Sequence, residues 1–83
     1  MIKSIAHASF LVEDVPRSLK FYCDVLQLPL NPNRPDFPFD GAWLDIGEDQ
    51  MIHLMQLPNP DSNEGRPAHG GRDRHLALVV EDL

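Results

Sequence analysis

With 83 residues, 42% of them hydrophobic and 24% charged, the chain has the composition of one small folded domain and not of a disordered segment. Its formal net charge of −6 argues against a nucleic-acid partner, because such a surface repels phosphate backbones. No long apolar run marks a membrane span or a secretory leader, and the single cysteine, Cys23, has no partner for an internal disulfide, so a reducing, cytoplasmic setting is expected.

Residues 3–12, "KSIAHASFLV", read as a strand that stops at acidic residues. A helix follows over 13–28. Asp14 is placed to cap it and Pro16 falls in the first turn, where a missing N–H costs nothing. Leu19, Tyr22, Val25 and Leu26 recur at helical spacing and should form one apolar stripe. Cys23 reads as a small packing residue. Pro29 ends the helix. The proline-rich stretch 31–41 has room for no more than a short edge strand. "AWLDIG" (42–47) and "MIHLMQL" (51–57) read as two strands joined by a tight turn, a hairpin. Residues 58–74 form a polar loop. Its Arg66, Arg72 and Arg74 could meet a small anion or simply stand in solvent.

The chain ends as it begins. "HASFLVEDV" at 7–15 and "HLALVVEDL" at 75–83 share His, Val, Glu and Asp in register, 68 residues apart. Such a match points to internal duplication. The expected fold is therefore α+β: a βαβββ unit over 1–57, with a mixed sheet and one covering helix. The loop 58–74 then leads to the first strand of a second, incomplete unit over 75–83.

Strand side chains alternate between faces. One set is apolar and suits packing under the helix: Phe10 and Val12, Ala42 and Leu44, Ile52 and Leu54. The other set gathers His7, His53, His75, Trp43, Asp45, Met51 and Met55. Three neutral imidazoles on one face are good donors for a borderline divalent metal. Trp43, Met51 and Met55 would leave that face apolar, as a ligand cleft or a partner surface is. Asp45 suits a polar contact as well as it suits a ligand role, and His69 stands apart in the loop.

The stretch "HASFLVEDVPRSLKFYCDVLQLPL", with "MIHLMQ" and "RHLALVVEDL", resembles the vicinal oxygen chelate superfamily, which includes glyoxalase I, extradiol dioxygenases and bleomycin-binding proteins. The likeness extends over nearly the whole chain. It departs at Gln27, where that family commonly has glycine. It implies a βαβββ unit used in pairs to build a cup around a divalent metal: zinc, nickel, iron, manganese or cobalt. It carries the ligand roles onto His7, His53 and His75. The glutamate that usually completes the set belongs to a strand this sequence does not contain.

Three functions follow from the resemblance. In the first, the protein is a metal-dependent enzyme of glyoxalase or dioxygenase type, acting on a small oxygenated metabolite, with no acid or base assigned. In the second, it is a binding module of the bleomycin-resistance type that grips its ligand with Trp43, Met51 and Met55. In the third, it is an inactive truncated chain. A homodimer, with strand exchange through 75–80, is expected because one such unit covers only half its sheet.

Overall fold

Alternation along "GAWLDI" and "QMIHLM" produces two strands, β2 (Gly41–Ile46) and β3 (Gln50–Met55), in the computed structural model, which describes residues 1–82. They pair antiparallel, with Trp43 opposite His53 and Leu44 opposite Ile52. The first strand, β1 (His7–Leu11), lies parallel to β3 with Ser9 opposite His53. The sheet order is β1–β3–β2. The short edge strand allowed for in 31–41 does not form; in its place is one bridge between Leu30 and Leu44. Hydrogen bonds from Asn31 N–H to Trp43 O (2.8 Å) and from Asp45 N–H to Pro29 O (2.9 Å) flank that bridge. Prolines on both sides keep it from growing.

The helix α1 begins at Val15–Leu19, where the Asp14 carboxylate accepts from Arg17 N–H at 2.9 Å. A second cap comes from far along the chain: Gln56 Oε1 accepts from Val15 N–H at 2.9 Å. The helix then widens to π spacing over Lys20–Val25. Val25, expected in the apolar stripe, is in fact 65% exposed. The wider turn keeps Leu19 and Tyr22 on the core, as expected, with Cys23 beside them, and turns Val25 away. Leu44, Ile52 and Leu54 form that core, each essentially sealed from solvent.

Two expectations change. Residues 3–6 stay outside the sheet, although Ala6 O accepts from Met51 N–H at 3.0 Å. Residues 75–83 are expected to hold the first strand of a second unit; 75–82 join no ladder, and Leu83 lies outside the described residues. A strand needs an edge to pair with; alternation alone supplies none. The segment lies instead by the helix side of the sheet, where Leu76 and Leu78 border a hollow with Phe10, Phe21, Tyr22 and Ile52.

The loop before it contains one 3-10 turn, Gly70–Arg72. The Arg66 guanidinium donates twice to the Asp73 carboxylate, both at 2.9 Å, and Arg74 pairs with Asp61 at 2.8 Å. Two of the loop's three arginines are thus engaged by its own carboxylates. No helix among the described residues is long and apolar enough to cross a membrane.

Candidate functional site

Because β3 lies between the other two strands, its outward residues meet side chains from both sides. On the face away from the helix, His53 is sandwiched. Its ring stacks on His7 at 3.9 Å between centroids and 12° between planes. On the other side it stacks on Trp43 at 4.4 Å and 6°. Three flat rings from three strands therefore form one column across the sheet. His53 Nε2 is buried without a hydrogen-bond partner, the one buried side-chain polar atom so placed among the described residues. Burial, and then the neighbouring His7 and Arg34 charges, push the His53 pKa below the usual histidine value. Near neutral pH this ring is uncharged, which is the form that donates to a metal.

The column borders a cavity of about 350 Å³, enough for a small molecule. Met55 completes the sheet side. The proline-rich segment supplies the opposite wall: Phe37 and Phe39 stack at 5.5 Å between centroids, and Phe37 leans toward Trp43 at 6.5 Å. Arg34 lies over both phenylalanines, 5.0 Å from one centroid and 5.4 Å from the other. Its Nη2 donates to Phe39 O at 2.9 Å.

The expected site residues thus divide. His7, His53, Trp43 and Met55 line one cavity. Met51 lies one row away, where Asn31 Nδ2 donates to Asp45 Oδ1 at 2.8 Å and approaches Met51 Sδ at 3.7 Å. Asp45 is tied into that contact. His75 borders a separate hollow with Ser9, Phe10 and Leu11, and its Nδ1 contacts Asp73 O at 2.7 Å. Among the described residues no three His, Cys, Asp or Glu side chains gather closely enough to hold a metal ion. The donors this chain brings together are the two imidazoles of β1 and β3, stacked face to face, and one of them carries an unpartnered buried nitrogen. Arg34, Phe37 and Phe39 were not anticipated. The signal for them was the density of aromatic residues in a segment too rich in proline to be a strand.

Comparison with known proteins bears on this arrangement. The family model described as Glyoxalase/Bleomycin resistance protein/Dioxygenase superfamily matches residues 4–83. The chain is 33% identical over 84 residues to Glyoxylase I 4 of Arabidopsis thaliana, covering 99% of this chain and 47% of that protein. It is 31% identical over 84 residues to a probable lactoylglutathione lyase of Synechocystis, covering 95% of this chain and 61% of that one. To the metallothiol transferase FosB of Staphylococcus saprophyticus it is 28% identical over 85 residues, covering 99% and 48%. The chain therefore spans roughly half of the curated relatives it matches.

Proposed function

The chain belongs to the Glyoxalase/Bleomycin resistance protein/Dioxygenase superfamily, and from that premise we propose that its aromatic cavity binds a small oxygenated metabolite through a divalent metal held by His7 and His53. The observation that carries this reading is the buried, unpartnered Nε2 of His53 beside the His7 ring. Family resemblance adds His75 as a third ligand; it lies beyond Ser9 and would have to move to join them. A metal bound there would supply Lewis acidity toward the substrate's oxygens. The chain's own residues do the rest. Trp43, Met55 and the two phenylalanines hold the ligand's apolar part, and Met51 supports the Asn31–Asp45 contact behind them.

We place the unit in the cytoplasm and pair it with a second βαβββ unit, either a copy of this chain or one that begins at residues 75–83. The remaining ligands would come from that second unit. Similarity to Glyoxylase I 4, to the lactoylglutathione lyase and to FosB supports enzymatic use of such a site, with the reaction left open among the superfamily's chemistries.

A second reading has its own support. The stacked column of rings and the apolar walls suit a binding module without metal chemistry. Titration of the chelator-treated protein with zinc, nickel and manganese, followed by calorimetry, separates the two. We expect saturable uptake of at least one metal, weakened roughly tenfold or more in His7→Ala and in His53→Ala. Uptake that neither substitution alters, or no uptake at all, would leave the binding module, or an inactive dimerising chain, as the better description.

A further inference from the structure

The cavity holds a charge that the metal reading does not use. Arg34 is half-buried in its wall. The ion pairs among the described residues involve Arg17, Arg66 and Arg74, and Arg34 takes part in none of them. A guanidinium carries five N–H donors. Among the described residues one hydrogen bond engages it, from Nη2 to Phe39 O. Its other nitrogens have no hydrogen-bond partner among the described residues, and none of them is sealed from solvent.

The position is built. A Cβ at Gly41 would press on Leu54 O and lie 2.7 Å from Arg34 Nη2 and 3.1 Å from its Cζ. The Leu54 carbonyl requires glycine at 41, and the guanidinium occupies the space that glycine leaves beside β2. Phe37 and Phe39 hold it from the other side through cation–π contacts. A fixed, planar, unpaired cation in an aromatic cavity selects for a planar anion with two oxygens, because the fork geometry matches a carboxylate.

We propose that Arg34 is the anion-receiving residue of this cavity, and that its ligands are carboxylates carrying a flat apolar body. The carboxylate meets the free edge of the guanidinium, and the body lies against Trp43 and Phe37. The inference rests on reading this cavity as the ligand site, and it requires no metal.

The chain's single tryptophan lies in the cavity wall, so its fluorescence reports occupancy directly. Benzoate and benzamide have nearly the same shape and differ in charge. Titrated into the full chain in buffer containing EDTA, benzoate should bind roughly tenfold or more tightly than benzamide. Arg34→Gln should abolish the preference for benzoate over benzamide, whatever it does to the affinity for benzamide itself; Arg34→Lys should retain part of the preference. Circular dichroism of each variant confirms the fold. Equal affinity for the two probes overturns the proposal. So does the absence of a saturable response to either, or a preference that survives in Arg34→Gln. Because chelator is present, failure of metal uptake leaves this outcome untouched, and loss of the benzoate preference leaves the metal titration untouched.

Discussion

Gln27 ends the helix in a conformation that does not suit it. Its φ is +60°, in the left-handed region where a side chain crowds the backbone. The position is the residue just past the helix, where glycine usually stands. Leu28 N–H reaches back to Tyr22 O at 3.0 Å, one residue farther than in the ordinary capping motif, because the last turns are π-wide. Replacing Gln27 with glycine should therefore raise stability by about 1 kcal/mol, the relief of the crowding less the added freedom of the unfolded chain. Urea unfolding of Gln27→Gly measures it; an unchanged or lower midpoint would mean that the glutamine side chain repays the strain elsewhere. At this scale the sequence showed some things and hid others. His7, His53 and Trp43 were legible on one face because strands alternate strictly. Arg34 was hidden, since it stands beside a glycine of β2 on a loop with no period to read.

Among the elements, the helix depends on a residue from the far end of the sheet. Gln56 follows β3 directly and accepts from Val15 N–H across 41 residues of sequence. Val15 is 7% exposed, so water cannot readily replace that acceptor. Gln56→Ala should cost about 1–2 kcal/mol of stability, the penalty for an orphaned buried donor. Gln56→Glu, which keeps an acceptor at that place, should cost less; equal losses for the two would assign the effect to packing. The hairpin and the parallel pairing of β1 followed from short apolar runs and their punctuation. The π segment did not, because Leu19, Tyr22 and Val25 fit a 3.6-residue period in the sequence, and only packing against Leu44, Ile52 and Leu54 decides which of them turns inward. The segment 75–80 shows the same limit. Its alternation is strand-like, yet pairing is a property of two segments, and its own residues describe just one.

For the whole molecule, the surface is too large. A compact chain of 9.4 kDa would expose about 5,000 Å², whereas this one exposes 7103 Å². The radius of gyration, 14.1 Å, exceeds the roughly 12 Å of a compact domain of this length. Phe21, Leu76, Leu78, Val79 and Val80 account for part of the excess on the helix side. An excess of about 2,000 Å² is on the scale of a stable interface. Sedimentation velocity should therefore show the mass rising from one chain toward two as concentration increases. Val79→Asp, at a fully exposed position, should shift that transition to higher concentration. A single monomeric species at every concentration would count against pairing through this side.

The order of the sheet also has a consequence during synthesis. β3 is the central strand, hydrogen-bonded to both neighbours, and it is the last of the three along the chain. As the polypeptide leaves the ribosome, β1, the helix and β2 emerge before the strand that joins them. Until Met55 is out, β1 has no parallel partner, and Leu44 has neither Ile52 nor Leu54 to cover it. The nascent chain thus passes through an interval in which everything ahead of β3 has been made and none of its sheet exists, followed by closure when one segment of six residues arrives.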